Sequence, residues 1–420
     1  MSTDVDIHVD NPVTRKVKRI SFKHVMSFLF LLAFFSYSFY QVSQKPRILV
    51  LHSYDTDYDW VNEVSEGIRS VLDNKRYLVR WHYMKTKKNP GNEFGRKAGV
   101  RALDLIAEWE PNVIIAIDDN AQKYVAKHYI DEIKRPAYKT NIVYSGVGAE
   151  PEAYGYDRAK NVTGILERMP LDAIKYSALQ VFSEPARIRK IRLLHISDSS
   201  KSGCLNKQQI DQFKWWPEIL KESHDVSSFE NWKKVLSERG EFADILLMTN
   251  YDTLTPGTLE SQSKLDCHDV SSDRNKDKNQ KPNSIELQTN IDKKIKQDFV
   301  PREKVVTWSK SEFPSLIMGG WGFFVKNGGH LAVAISGFEQ GEVAAQMAVK
   351  IIGTVANTAK NTKKINRAQA PWEIDGRSTE QFIIHYNGSY DFYQHPNYPM
   401  IPAFYESFAR AAGTYRENEK

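Results

Sequence analysis

The chain has 420 residues, 41% of them hydrophobic and 26% charged, with a formal net charge of +6 at pH 7. This composition is that of a globular protein and excludes extensive disorder. Lysine and arginine outside the N-terminal region are scattered among acids, and no basic stripe is interleaved with aromatic residues, so we expect no nucleic-acid partner. Two cysteines cannot build a disulfide-rich scaffold. In an oxidising compartment, Cys204 and Cys267 either form one bridge or stay apart.

The most informative segment lies near the N-terminus. Residues 25–42 carry no charge, and a basic run from Arg15 to Lys23 precedes them. This pattern predicts a transmembrane signal anchor with a cytoplasmic tail at residues 1–24. The protein is then a single-pass protein of the inner (plasma) membrane, with its body facing the periplasm. A cleaved signal peptide is the alternative, although the segment has no Ala-x-Ala cleavage pattern.

Strand and helix patterns alternate through the first half of the body. Short apolar runs predict buried strands at residues 47–52, 113–117 and 141–144, and alternation predicts a strand at 77–84. Apolar residues at helical spacing separate these runs. The helical patterns cover residues 60–72, 94–109 and 121–129. Strands alternating with helices of this length predict a doubly wound parallel sheet.

The same pattern begins again near residue 188. Apolar runs predict strands at residues 191–196, 243–249 and 331–335. Helical spacing predicts helices around residues 210–220 and 232–236, and a long helix at 343–352. Two such sheets in series form an α/β body of two doubly wound lobes with a cleft between them. We place the first lobe at 45–185, the second at 186–355 with a flexible insertion at 269–284, and a C-terminal segment packed on the body at 356–420.

Polar residues follow the predicted strands. In open parallel sheets, ligands bind beyond the carboxyl ends of the strands. The resulting ligand-binding candidates are Ser53, Tyr54, Asp118, Asp119, Asn120, Gly146, Asp198, Ser199, Asn250 and Ser336. Each of these residues has an alternative role as an ordinary helix cap. Asp119 is the expected contact for an ammonium group or a donor-rich ring, while Tyr54 and Trp321 either stack on a planar solute or fill the core.

Catalytic patterns are weak, so we expect a binding protein and not an enzyme. The sequence has no phosphate-binding glycine loop, no Gly-x-Ser-x-Gly and no His-Glu-x-x-His motif. Asp55 and Asp57, or Asp118 and Asp119, resemble paired metal ligands, but a solvated loop and a helix cap explain them better. We therefore expect no metal and no cofactor. The alternative is a type II membrane enzyme such as a metal-dependent glycosyltransferase, whose short basic tail and single anchor would look the same.

Several motifs together resemble one bacterial family. They are His52-Ser-Tyr-Asp-Thr-Asp-Tyr-Asp-Trp60, Tyr83-Met-Lys-Thr-Lys87, Ile117-Asp-Asp-Asn120, Asn161-Val-Thr-Gly-Ile165, the glycine-rich stretch 319–329 and Glu339-Gln-Gly-Glu-Val-Ala-Ala345. Residues 46–355 are similar to the substrate-binding family of ABC transporters, which includes aromatic amino-acid binders and sensor domains. The resemblance implies a type I periplasmic-binding-protein fold that holds a small-molecule solute between closing lobes. It also implies a membrane partner, either an ABC permease or a sensory protein. The predicted anchor and the insertion depart from the family pattern.

Overall fold

The structure of the protein is a computed structural model. The chain divides into two compact units, residues 1–45 and 46–420. The structure describes residues 22–43, 45–72, 76–130, 140–182, 189–257, 299–353, 371, 374, 376–378 and 382–386. The predicted insertion at 269–284 and Cys267 lie outside these residues. Cys204 lies within them and is disulfide-bonded.

The first unit contains one apolar helix, α1, Phe22–Ser43. It includes the whole segment predicted to span the membrane, and it is long and apolar enough to do so. At 1.5 Å per residue, its 22 residues extend about 33 Å, which matches the hydrocarbon core of a bilayer. Its large side chains, such as Phe28 and Leu32, are exposed within the unit. A membrane span and a signal sequence share these properties.

The second unit contains two six-stranded sheets. The first sheet is built from β1 Arg47–His52, α2 Asp59–Leu72, β2 Leu78–Tyr83, α3 Asn92–Trp109, β3 Val113–Ile117, α4 Asp118–Tyr124, β4 Asn141–Val147, β5 Val162–Leu166 and α5 Leu171–Val181. The second is built from β6 Ile191–Asp198, α6 Lys201–Gln212, β7 Ile219–Val226, α7 Phe229–Arg239, β8 Ile245–Met248, α8 Arg302–Glu312, β9 Leu316–Gly319, α9 Phe323–Lys326, β10 Leu331–Ile335 and α10 Gly337–Ile352. Short 3-10 helices lie at Ala126–Tyr129, Pro151–Tyr154, Tyr156–Arg158 and Gly240–Phe242.

The two sheets repeat the same strand order. The first runs β5-β4-β3-β1-β2 and the second β10-β9-β8-β6-β7, and all of these pairs are parallel. One further strand joins each edge, β11 Arg377–Ser378 parallel to β5 and β12 Phe382–Tyr386 antiparallel to β10. The expected fold class, two doubly wound parallel-sheet lobes, is therefore confirmed.

Both faces of the first sheet are buried, which explains its continuous apolar strands. In β1, Ile48 and Val50 belong to the cluster that includes Val64 of α2. Leu49 and Leu51 point the other way, into a cluster with residues of α3 such as Ala102. One strand thus holds helices on both sides of the sheet.

One predicted helix is wrong. Apolar residues between 210 and 220 have helical spacing, but α6 ends at Gln212 and the edge strand β7 begins at Ile219. Pro217 lies between them, and a proline disfavours helical conformation in the residue before it. Strand β7 is buried at its two ends and more exposed between them, as an edge strand is, whereas β6 is buried along almost its whole length.

Helix α10 follows β10 of the second sheet but packs beneath the first sheet, against α2. Glycines allow the two helices to touch. A Cβ on Gly341 would lie 1.9 Å from Val64 O, and one on Gly67 would lie 2.1 Å from Phe338 O. Any side chain at either position would force the helices apart. The position of a helix in the chain therefore does not decide which lobe it stabilises, and the predicted lobe boundary at 185/186 stays a prediction.

Candidate functional site

The carboxyl ends of the two sheets meet at the cleft between the lobes. Tyr54, after β1, has its hydroxyl 2.8 Å from Ser202 Oγ at the start of α6. Tyr58 donates to Asp252 Oδ2 over 3.3 Å, and Lys87 Nζ lies 3.3 Å from the same oxygen. These contacts join residues after β1 and β2 to residues that follow β6 and β8. The carboxyl ends of these strands are where a solute is expected in an open parallel sheet.

Five buried aromatic residues, the aromatic cluster, line this meeting point: Tyr54, Tyr58, Trp60, Trp321 and Phe323. The rings of Trp60 and Trp321 meet edge to face, with centroids 5.3 Å apart. Trp321 lies parallel to Phe323 at 6.3 Å, and Phe323 contacts Tyr58 at 5.8 Å. The first three residues come from the first lobe and the last two from the second. The cluster therefore forms only while the two lobes are together.

An ion cluster of Lys87, Asp252 and Arg302 borders the aromatic rings. Arg302 Nε lies 2.5 Å from Asp252 Oδ1. The guanidinium carbon of Arg302 is 4.7 Å from the ring centroid of Tyr58, and Lys87 Nζ is 5.1 Å from it. Burial works against ionisation of Asp252, but the charges of Lys87 and Arg302 outweigh it and lower the pKa of this carboxyl. Asp252 therefore stays ionised and engages both cations.

The pKa of Asp118 is shifted in the opposite direction from that of Asp252. Asp118 follows β3, its side chain is buried, and its φ of 65° is in the left-handed region. Trp60 Nε1 donates to its Oδ1 over 3.0 Å, while within the described residues its buried Oδ2 accepts no hydrogen bond. Burial first, and then the charge of Asp119, raise the pKa of Asp118 well above its ordinary value. Backbone strain combined with an unpaired buried oxygen is characteristic of functional positions.

Two more polar groups lie in the same region. Glu167, directly after β5, is buried, and burial followed by the charges of Asp118 and Asp119 raises its pKa well above the ordinary value. Trp321 Nε1 is buried and donates to no acceptor in the described part of the chain. The cleft thus combines aromatic walls, carboxyl groups whose pKa values are raised by burial and an unused donor. That combination suits a polar organic solute.

The structure gives Asp119 a different environment from the one expected. Its carboxylate accepts from Gly148 N over 3.1 Å, Ala149 N over 3.2 Å and the Tyr154 hydroxyl over 2.6 Å. All three donors belong to the loop after β4. Asp119 therefore holds that loop in place, and its oxygens are already hydrogen-bonded without a solute. The prediction that it contacts the ligand stays a prediction.

Two other candidates of the first lobe also stabilise backbone turns. Ser53 Oγ donates to Ile117 O over 2.7 Å and accepts from Ala121 N over 2.8 Å, which ties β1 to the turn before α4. Asn120 Nδ2 donates to Thr86 Oγ1 over 2.9 Å. The alternative of ordinary capping therefore describes Ser53 well.

The backbone of Gly146 has a similar structural role. It has φ 63° and donates its N–H to Gln340 Oε1 over 2.8 Å. Gln340 lies on α10, so this hydrogen bond attaches that helix to the end of β4.

Candidates in the second lobe are likewise engaged in local hydrogen bonds. Asp198 accepts from Ser200 through Oδ1 and from Thr253 N through Oδ2. Ser336 Oγ accepts from Glu339 N and caps α10. The backbone N–H of Ser199 donates to Val226 O. Asn250 Oδ1 accepts a hydrogen bond from Asn206 Nδ2.

Of the predicted candidates, the structure brings Tyr54, Asp118 and Trp321 together at the cleft. The sequence reasoning missed Tyr58, Trp60, Lys87, Glu167, Asp252, Arg302 and Phe323. Lys87 follows the predicted strand at 77–84, so the strand-end rule would have found it if it had been applied to that strand. Glu167 follows β5, which was not among the predicted strands. Arg302 begins a helix far along the chain from any predicted strand end, and no local pattern marks it.

Asp55 and Asp57, which the enzymatic alternative assigns to a metal ion, both contact a lysine side chain. Lys88 Nζ lies 2.9 Å from Asp55 Oδ2 and 2.7 Å from Asp57 Oδ2. Among the described residues, no group of three or more His, Cys, Asp or Glu side chains is positioned to hold a metal ion. Asp55 and Asp57 therefore form a surface ion pair with Lys88.

Comparisons with known proteins support the fold. No protein-family model matches the chain. No curated protein matches it either. A conserved domain protein from Vibrio cholerae O1 biovar El Tor superposes with a TM-score of 0.51 at 11% identity, covering 82% of this chain and 92% of its own. The body, a two-lobed α/β unit with two parallel-type sheets, therefore shares its fold with that domain.

Two further solved structures are similar at lower scores. An ABC domain from Streptococcus pneumoniae in complex with L-Trp has a TM-score of 0.49 at 14% identity, covering 81% of this chain and 92% of its own. The ligand-free, open structure of a substrate-binding protein with adhesive properties from Clostridium difficile has a TM-score of 0.49 at 10% identity. That match covers 89% of this chain and 97% of the other.

Proposed function

We propose that this protein is an extracytoplasmic solute-binding protein that closes its two lobes around a small polar or aromatic metabolite, for transport or sensing. The observation that carries the proposal is a pair of unsatisfied polar atoms beside one aromatic ring. Asp118 Oδ2 and Trp321 Nε1 come from different lobes, both are buried without a hydrogen-bond partner among the described residues, and both side chains contact Trp60. Leaving such atoms unpaired costs about 1–3 kcal/mol each, and a bound solute removes that cost.

Hinge closure follows from the division of the aromatic cluster. Its rings belong to two lobes, so opening the cleft exposes them to water and closing it buries them. The ion cluster adds attraction across the same opening, since Lys87 of the first lobe faces Asp252 of the second.

We further propose that α1 remains attached as a membrane anchor, with the body in the periplasm. The basic residues before it and its 22-residue length support this proposal. Intact mass measurement on protein extracted from membranes tests it. Cleavage after α1 would shift the mass and leave the body in the soluble fraction.

The test of function is ligand-induced stabilisation of the full-length protein in detergent. A solute that binds only the folded state raises the melting temperature in proportion to ln(1 + [L]/Kd). We expect one class of amino acids or related metabolites to raise it, and mass spectrometry of the untreated protein to find a retained small molecule. A broad library without any shift, together with no retained molecule, would refute the proposal.

A further inference from the structure

Helix α6 of the second lobe packs along two neighbouring stripes of its surface. Residues Gly203, Asn206 and Ile210 form the stripe that faces its own lobe, at the spacing of one helix face. A Cβ on Gly203 would lie 2.1 Å from Asp198 O, and Asn206 Nδ2 donates to Asn250 Oδ1 over 2.8 Å. This stripe alone would attach α6 to the second sheet.

The second stripe is displaced by one residue and consists of Ser202, Leu205 and Gln209. Ser202 Oγ lies 2.8 Å from the hydroxyl of Tyr54, which follows β1. Gln209 Oε1 accepts from the backbone N–H of Met169 over 2.9 Å, within the segment that joins β5 to α5. One end of α6 therefore contacts the first lobe, and the other end contacts the crossover between the lobes.

Leu205 lies between these two contacts and is buried in the core of the first lobe. It is 6% exposed, and it belongs to the hydrophobic cluster that contains Leu49 and Ala102. Among the described residues, every other member of that cluster precedes residue 167 in the chain. A side chain of the second lobe thus completes the core of the first, and its burial favours the contact.

The surface under Leu205 is the loop after β4. A Cβ on Gly148 would lie 3.4 Å from Leu205 Cβ. The carboxylate of Asp119 accepts from the N–H groups of Gly148 and Ala149, and Arg168 Nη1 donates to Gly148 O over 3.1 Å. Side chains hold the loop through both its N–H and its carbonyl groups, so Leu205 meets a fixed surface. We call Leu205, Gly148 and Ala149 the docking seam.

Resting on the proposed function, we propose that the docking seam holds the two lobes closed before a solute arrives. Solute entry then requires Leu205 to leave the first lobe, and a solute exchanges only while the molecule is open. Opening exposes the apolar surface of the seam to water, which keeps the open state a minor population.

The apolar seam is better suited to this role than the polar contacts across the cleft. The Tyr54–Ser202 hydrogen bond and the Lys87–Asp252 ion pair can be replaced by contacts with water when the lobes separate, so their net contribution to closure is small. Leu205 has no such replacement. Its cluster also contains none of the five rings of the aromatic cluster, so variants of the seam leave the expected solute position unchanged.

The experiment measures the distance between the lobes in the full-length protein in detergent, without added solute. Spin labels are attached through E93C at the start of α3 and E230C at the start of α7, two exposed positions beyond the carboxyl ends of the edge strands. Cys204 is disulfide-bonded and does not take up the label. Pulsed electron resonance then gives the populations of closed and open molecules. We expect the shorter, closed distance to dominate.

Two variants of the labelled protein disturb the seam from opposite sides. L205A removes the buried side chain, and G148F places a ring where Leu205 lies. Each should raise the ratio of open to closed molecules at least about tenfold. The matched controls are L205M, which conserves volume, and G148A, whose Cβ would meet Leu205 at an ordinary contact distance of 3.4 Å. Both controls should retain the native distribution.

A native protein that shows only the longer distance would overturn the inference, and so would a native distribution in either folded seam variant. Circular dichroism establishes that each variant is folded. If L205A does not fold, G148F and its control G148A decide the question, because the added ring lies between the lobes.

A separate measurement distinguishes this inference from the proposed function. The native protein is screened for thermal shifts with the common amino acids and related metabolites. If one of them stabilises it while the seam variants stay closed, the docking seam is refuted and the solute-binding function stands. If the seam variants open but no compound gives a shift and no molecule co-purifies, the seam stands and the function is refuted.

Discussion

Trp60 of the first lobe and Trp321 of the second lie edge to face, 5.3 Å apart, and the indole N–H of only one of them is satisfied. Trp60 donates to Asp118, whereas Trp321 Nε1 is buried without an acceptor in the described residues. The contact therefore joins the lobes and leaves one donor available at the same point.

This asymmetry gives the first prediction. Trp321→Phe keeps an aromatic ring but removes the unpaired donor, so the free energy of unfolding should change by less than about 1.5 kcal/mol. Binding of the solute that co-purifies should weaken about tenfold, because one hydrogen bond is lost. Urea denaturation and calorimetry measure the two quantities. Unchanged affinity would show that the Trp321 N–H does not contact the solute.

The second prediction concerns Asp119. Replacing it by alanine leaves Tyr154 and two backbone N–H groups without their acceptor, so we expect a loss of about 3 kcal/mol in the free energy of unfolding. Asp157→Ala removes a partly exposed ion pair with Arg158 and should cost less than about 1 kcal/mol. Denaturant titration distinguishes them. Lost solute binding with unchanged stability would instead favour the sequence-based prediction that Asp119 binds the ligand.

The third prediction is a pH dependence at Glu63 of α2. Burial is the main cause that raises its pKa to about 7, although Lys326 and the N–H of Gly337 oppose it. The folded state then binds more protons than the unfolded state between the ordinary value of 4.5 and about 7. Stability from this group is present at low pH and is lost as pH rises through that window.

Glu63→Gln removes this dependence. The stability of the variant relative to the native protein should rise by about 3 kcal/mol between pH 4.5 and pH 8. Chemical denaturation at both pH values measures the difference. A difference that is the same at both pH values would mean that Glu63 ionises normally in the folded protein.

The fourth prediction tests the contact between α2 and α10. Gly341→Ala places a methyl group 1.9 Å from Val64 O and should cost about 3 kcal/mol or more, since backbone atoms cannot move aside cheaply. Gly257→Ala is the matched control, because a Cβ there meets nothing within 4 Å. Thermal denaturation compares the two. Equal melting temperatures would show that the helices have room to separate.

Sequence patterns predicted the fold where burial was complete. Strands β1, β3 and β10 are apolar on both faces, so their runs stand out from the helices around them. Strand β7 was missed because it is an edge strand with polar residues between its buried ends. The site was predicted only in part, because Tyr54 and Asp118 adjoin strands whereas Arg302 reaches the cleft from the start of a helix. No local rule relates Arg302 to Asp252, since their pairing depends on how distant segments meet.

The position of α10 also affects how the protein is made. Helix α2 is among the first parts of the body to leave the ribosome, but the helix that covers its glycine face is synthesised only after the whole second sheet. The first lobe therefore cannot complete its packing while the nascent chain is still being extended through the second. Contacts between such distant segments form slowly, and the incomplete lobe exposes apolar surface in the meantime. We expect production of this protein to depend on chaperones that protect a long-lived, half-finished first lobe.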